Sequence, residues 1–248
     1  MAETSKTADQ ALTVLIEVTE AGPLSPAELA RRLGLNRTVV HRLLATLHRR
    51  GFVTRTDQGY APGAILLRMA ERVQPELRAA AAGTMSVLGE EVGETVVLHI
   101  VDGDDAMVLE QYVPSRHVVR VEHEIGSRHP LMVGASGRAL VAFMDPSTVG
   151  RLVRKRGDSN HLPRRLEGVR QLGYAVSQDE LQHGVHGLAV PVLDRPDHAI
   201  ASLAIIVPTT RATGLTAHVE PLMAAAAEVA ASLYGEPGPV GGSTTRAA

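Results

Sequence analysis

Apolar positions in the first sixty residues recur at helical spacing and then switch to alternation. Residues 8–21 set Ala11, Leu12, Leu15, Ile16 and Thr19 on one face, which predicts an amphipathic helix. Gly22-Pro23 ends it. Ser25-Pro26, with Glu28 three residues after the serine, reads as a capping box with proline at the first helical position. It opens a short helix, Pro26–Leu33, that stops at Gly34. Asn36 caps a further helix over 37–50. Its buried stripe is Val39, Val40, Leu43, Leu44 and Leu47, and Thr38, His41, Arg42 and Ala45 fall on other faces. Residues 52–55 and 59–61 alternate around Asp57-Gln58, a two-stranded hairpin. Helix, short helix, tight turn, helix and hairpin is the order of a winged helix-turn-helix. In that motif the second helix of the pair enters the major groove, with its N-terminal residues toward the base edges.

The pattern then changes character. Residues 65–73 are helical and read as a linker that Pro75 interrupts. An alanine-rich helix over 76–91 aligns Leu77, Ala80, Ala81, Met85 and Leu88. Strands follow at 95–101 and 106–112, joined by Asp102-Gly103-Asp104-Asp105, and at 117–124. Residues 126–134 read as a loop, 136–144, 148–154 and 162–172 as helices, and a strand starts at Tyr174. Strands at 188–193 and 199–206 precede a long helix over 216–234. The predicted class is therefore α+β: an N-terminal winged helix-turn-helix, a linker helix and a C-terminal antiparallel sheet covered by helices. The expected division is a reading head at 1–62, a linker at 63–78, a second domain at 79–235 and a Gly/Pro/Ser/Thr-rich disordered tail at 236–248.

Composition narrows the options. A chain of 248 residues, 44% hydrophobic, is long enough for two cores and too apolar for disorder. It has no cysteine, which excludes a disulfide scaffold, a thiolate nucleophile and Cys-ligated metal. The apolar run 199–207 is far short of a membrane span of roughly 20 residues. Residues 1–9 lack a basic-then-apolar leader, so the cytoplasm is expected. Charge is uneven: Ser25 to Tyr60 holds 7 arginines against Glu28 and Asp57, a net charge of +5, on a chain of net charge −2. A positive patch on an acidic body points to a polyanion. Double-stranded DNA is the expected partner, and the candidate contacts are Ser25, Asn36, Arg37, Thr38, His41, Arg42 and Arg55. Arginine bridges the two acceptors of guanine, and threonine meets a thymine methyl or a phosphate. Arg55 and the N–H groups that follow Ser25 suit phosphates.

Enzyme and metal motifs fail on spacing. Gly134-Ala135-Ser136-Gly137-Arg138 lacks the glycine two residues after serine that a nucleophile elbow needs, and reads as a small-residue turn entering a helix. His123, His129, His183 and His186 lack a helical His-Glu-x-x-His pattern. Gly103 and Gly126 stand alone in turns, and Asp102, Asp104 and Asp105 lack the rest of a calcium loop. No catalytic residue, metal or cofactor is expected. The apolar stripe Ile65, Leu66, Met69 and Val73 fits packing between subunits or within the chain equally well.

Three stretches, LSPAELARRLGLNRTVVHRLLATLHRRGFV, GSRHPLMVGASGRALVAF and GYAVSQDELQHGVHGLAVPVLD with the strand ASLAIIVP, resemble the IclR family of bacterial transcription regulators over nearly the whole chain. The resemblance implies a GAF-like C-terminal domain that binds a small organic effector. It also implies a homodimer or homotetramer on a pseudo-palindromic operator, acting as repressor or activator. By position it implies an effector pocket with Val118, Val121 and His129 on one wall. Ala135 and Ser136 would offer N–H groups to a carboxylate, with Ser177, Val185 and Gly187 on another side and Ala204 and Ile206 on the last strand. Members that bind small polar acids tend to carry an acidic residue at the place of Ser177 and serines at those of Ala204 and Ile206. The departure implies an effector more apolar than a two- or three-carbon keto acid.

Overall fold

The switch of periodicity near residue 52 is where helices give way to strands. Helices α1 (Lys6–Ala21), α2 (Pro26–Leu33) and α3 (Arg37–Arg49) lead into strands β1 (Val53–Thr56) and β2 (Gly59–Pro62). Val14 and Val18 of α1, Leu29 of α2 and Val40, Leu43, Leu44 and Leu47 of α3 close one aliphatic core with Leu24 and Val53. The buried stripe of α1 sits one position over from the expected one. Ala11, Val14, Leu15 and Val18 face inward at i, i+3, i+4, i+7, and Leu12 and Ile16 are exposed. The hairpin is drawn onto the helices by a bridge from Leu24 to Tyr60. Gly59 allows that approach: its φ is +141°, and a Cβ there would stand 2.4 Å from the Leu24 carbonyl.

The computed structural model describes residues 4–156 and 162–235, so the tail expected at 236–248 lies outside the described residues. The chain divides into two units, Met1–Pro75 and Glu76–Ala248. The expected linker straddles that division. Helix α4 (Ile65–Ala70) is shorter than the predicted 65–73, Gln74 has a φ of +48°, and α5 (Pro75–Val92) starts at the proline.

The second unit is a six-stranded antiparallel sheet made of β3 (Thr95–Asp102), β4 (Asp105–Tyr112), β5 (Arg128–Pro130), β6 (Ala175–Gln178), β7 (Val185–Arg195) and β8 (His198–Pro208), in the order β5-β4-β3-β8-β7-β6. On one face α5 and α9 (Val219–Tyr234) bury Leu77, Met85, Leu88, Leu222 and Val229 against Val96, Leu98, Leu188, Leu203 and Ile205. The other face is lined by Ala106, Ala175, Ala189 and Ala204. These small side chains let α6 (Gly134–Val141) lie close to the sheet, and every residue of α6 is buried. Helices α7 (Pro146–Arg156) and α8 (Leu162–Leu172) pack outside it through Leu152, Leu166 and Val169.

Three predicted elements differ. Residues 117–124 form no strand, because the segment is tied by side chains instead of a ladder. Thr95 Oγ1 donates to the Val121 carbonyl at 2.6 Å, and the His123 N–H donates to Gln111 Oε1 at 3.0 Å. The edge of β4 pairs instead with β5, inside the segment predicted as a loop. The final helix begins at Val219 after a 3-10 turn, Leu215–His218. Pro221, which lacks an N–H, then falls in the first turn where that group has no helical partner.

Candidate nucleic-acid interface and effector cavity

The reading head is assembled by caps. Ser25 Oγ accepts from the Glu28 N–H at 3.2 Å, and Glu28 Oε2 accepts from the Ser25 N–H at 2.9 Å. The Ser25 hydroxyl also donates to Glu28 Oε2 at 2.6 Å, which holds the Glu28 carboxyl below its ordinary value. Ser25 is thus engaged by α2 itself, and this helix end carries its own carboxylate. Gly34, with a φ of +63°, closes α2. Asn36 Oδ1 accepts from the Thr38 N–H at 2.8 Å and starts α3. Val40, Leu43, Leu44 and Leu47 turn inward, which leaves Arg37, Thr38, His41 and Arg42 exposed at the N-terminal half of α3. Arg55 is exposed on β1, opposite Tyr60 of β2. Among the described residues, the side chains of Arg37, Arg42 and Arg55 have no ion pair or hydrogen bond, whereas Arg32 is bound to Glu17 at 2.8 Å.

In the second unit a cavity of about 20 Å3 lies at the start of α6. Ala135, Ser136, Ser177, Val185, Gly187 and Ile206 line it, with His123, Leu181 and Gln182. Six of the ten residues expected at an effector pocket therefore come together. Val133 gives α6 no side-chain cap, Glu180 takes the Gly134 N–H, and among the described residues the Ala135 and Ser136 N–H groups have no hydrogen-bond partner. Free N–H groups at a helix start carry partial positive charge and suit an anion.

The other four are placed apart. Val121 packs with Val97, Val108 and Ile206 beside the cavity. His129 sits on β5 with its ring centroid 5.3 Å from that of His99. Ala204 is taken up by the alanine face under α6. Val118 is 98% exposed. It falls in the segment expected as a strand, where no ladder turns it inward.

Sequence reasoning passed over several groups. Glu180 accepts from the Gly134 N–H at 3.0 Å and pairs with Arg138, which also donates to the Val176 carbonyl at 2.6 Å. His99 and Ser202 are buried on the sheet face beneath α6. The available signal for His99 is a lone polar residue inside the apolar run 96–101. His123 enters the sequence reading only as a metal ligand, and His129 as that or as one wall of the effector pocket, and among the described residues no cluster of three His, Cys, Asp or Glu could hold a metal.

Comparison with known proteins extends these observations. Residues 71–231 match the family profile "Bacterial transcriptional regulator IclR C-terminal", and residues 7–57 match "IclR helix-turn-helix domain". The probable transcriptional regulator SauR of Cupriavidus necator is 32% identical over 80% of this chain and 85% of its own length. The crystal structure of an IclR transcriptional regulator from Alicyclobacillus acidocaldarius superposes with a TM-score of 0.78 at 26% identity, covering 93% of this chain and 100% of that one. An IclR homologue from Microbacterium hydrocarbonoxydans, crystallised with 4-hydroxybenzoate, shares the fold with a TM-score of 0.80 at 21% identity, over 92% and 99% of the two chains.

Proposed function

The chain belongs to the IclR family of bacterial transcriptional regulators, and from that premise we propose how it regulates. It is a helix-turn-helix DNA-binding protein. In this reading residues 1–62 are the reading head, 63–78 the linker and 79–235 the effector domain. A homodimer, or a tetramer of two such dimers, offers two copies of α3 to a pseudo-palindromic operator. The half-sites lie about one helical turn (~34 Å), or a multiple of it, apart. Arg37, Thr38, His41 and Arg42 meet base edges, and Arg55 meets phosphate. The observation that carries this is the side of α3 left without internal partners. The protein acts in the cytoplasm, and no described helix is long and apolar enough to cross a membrane. Selection from random duplexes, followed by footprinting, tests the reading. Enrichment of an inverted repeat supports it. A protein that ignores duplex even in dilute buffer overturns it.

The cavity at α6 is proposed as the effector site. The free Ala135 and Ser136 N–H groups receive a carboxylate, while Val185 and Ile206 favour an apolar body. The relative crystallised with 4-hydroxybenzoate supports a ligand of this kind. At about 20 Å3 the cavity has room for little more than one water, so ligand entry requires Leu181 and Gln182 to move. The ligand then changes operator affinity only by its differential affinity for the arrangements the protein can adopt. A thermal-shift screen of aliphatic and aromatic acids with an operator-binding readout tests this. Preference for the smallest keto acids would remove the apolar assignment.

A further inference from the structure

A polar atom buried without a partner loses its water and gains nothing in return, so such atoms are few and usually serve something. Among the described residues five side-chain atoms are buried and unpartnered: His186 Nε2 on β7, and His99 Nδ1 and Nε2, His129 Nε2 and Ser202 Oγ, which gather in one place. His99 is 1% exposed and Ser202 0%. The two stand directly opposite each other on β3 and β8. The rings of His129 and His123 pack edge-on to His99, with centroids 5.3 and 6.1 Å away. Val97 and Ala204, paired two residues along, show that this is the sheet face beneath α6. His123 also lines the cavity at the start of α6. Val97, Val108, Val121 and Ile206 form an apolar patch that adjoins both, since Ile206 lines the cavity and Val108 stands opposite His99.

We propose that these four side chains are the far end of the effector site, and that they receive a neutral hydroxyl at the end of the ligand opposite its carboxylate. The ligand class is then a hydroxy-substituted carboxylic acid with an apolar middle. The proposal rests on reading the cavity as an effector site and deepens it. The order of surfaces gives the order of groups: N–H donors at Ala135 and Ser136, a valine and isoleucine patch, then imidazoles and a hydroxyl. The charge state of the imidazoles selects a neutral group over a second anion. Burial, then the neighbouring histidines, hold His99 well below the usual histidine range. Burial likewise lowers His123 and His129. A neutral imidazole offers one donor and one acceptor nitrogen. A hydroxyl can donate to the acceptor nitrogen of one ring while it accepts from the N–H of another ring or from the Ser202 hydroxyl, whereas a carboxylate can only accept and offers nothing to an acceptor nitrogen. The sheet therefore carries its polar groups at β3, β5 and β8, on the side away from Ser177.

The experiment is calorimetric titration of the full-length protein with two matched pairs: benzoate and 4-hydroxybenzoate, and hexanoate and 6-hydroxyhexanoate. The hydroxy acid of at least one pair is expected to bind about tenfold tighter than its partner, the worth of one well-placed hydrogen bond in a site built for it. In His99→Leu, and separately in Ser202→Ala, that advantage is expected to shrink to less than about threefold while the unsubstituted acid keeps its affinity. Equal affinities within both pairs in the unaltered protein, or an advantage that survives both substitutions, overturn the proposal and leave the cavity's assignment standing. Failure of all four acids to bind overturns the cavity's assignment and the proposal together.

Discussion

Glu180 holds Arg138 with the same carboxylate oxygen that accepts the Gly134 N–H, so one side chain ties the β6–β7 connection to the first turn of α6. The Arg138 side chain is 3% exposed, and the guanidinium has little water to fall back on. Burial alone would raise the Glu180 carboxyl, but Arg138 and the Gly134 N–H outweigh it and hold the group below its ordinary value. Glu180→Ala is expected to lower stability by about 2–4 kcal/mol, because it strands a buried cation. The double change Arg138→Met with Glu180→Leu is expected to cost less than Glu180→Ala, since no charge remains unpaired. Urea unfolding of the three proteins checks this. A double variant weaker than the single one would remove the stranded charge as the explanation. Leu181 and Gln182 follow Glu180 directly, so effector affinity should fall with the ion pair as well.

Base contacts and phosphate contacts from the reading head are separable by their sequence dependence. Arg37→Ala and Arg42→Ala are each expected to lose about 1–3 kcal/mol of operator affinity and to relax preference at one position of each half-site. Arg55→Ala is expected to weaken every duplex alike and to reduce the slope of log affinity against log salt by about 1. Anisotropy titrations against the operator and single-base variants at several salt concentrations measure both effects. Unchanged footprints from the two α3 variants would take Arg37 and Arg42 out of the interface.

The reading head was legible because each of its elements is written locally. The Ser25 and Asn36 caps, the Gly34 stop and the two-residue turn at Asp57-Gln58 all act within four residues of themselves. The core stripe of α3 was equally plain, while that of α1 slipped by one position because Leu12 and Ile16 are as apolar as Val14 and Val18. The second unit depends on partners distant in sequence. Alternation at 117–124 suggested a strand, but a strand needs a free edge, and β5 occupies that of β4. His99 and Ser202 become neighbours only through the pairing of β3 with β8, which no local pattern announces. Glu180 reaches Gly134 across 46 residues for the same reason.

Gly187 keeps the cavity open. A Cβ at this position would come within 2.9 Å of Ser177 Oγ and 3.7 Å of the Ala135 Cβ. The hydroxyl can rotate away, so Gly187→Ala is expected to change stability by no more than about 1 kcal/mol. The added methyl takes space from a cavity of only about 20 Å3, and acid binding should fall at least about tenfold while operator binding persists. Gly137→Ala is the contrast. Its Cβ would lie 2.2 Å from the Leu131 carbonyl oxygen, a backbone atom that cannot rotate away. That change is expected to cost about 2–3 kcal/mol. Wild-type effector affinity in Gly187→Ala would show that the ligand sits elsewhere.

The buried histidines give the second unit a pH dependence above the range of carboxylates. Burial is the main cause of the lowered His99 value, with His129 and His123 adding to it, so the folded protein keeps this ring neutral. In the unfolded chain the same ring takes a proton near the ordinary value of about 6.5. Below that pH the unfolded state binds more protons than the folded one, and stability falls as pH falls, by at most about 1.4 kcal/mol per pH unit for this histidine. The Glu180–Arg138 contribution is present above the ordinary carboxylate value near 4.5 and is lost only as pH falls through the lower folded value. The interval from pH 6.5 to 5.5 therefore reports the histidines. Urea midpoints followed by circular dichroism at pH 7.5, 6.5 and 5.5 should decline for the unaltered protein, and His99→Leu should decline less steeply. Parallel slopes for the two proteins would mean that His99 is already protonated, or hydrated, in the folded state.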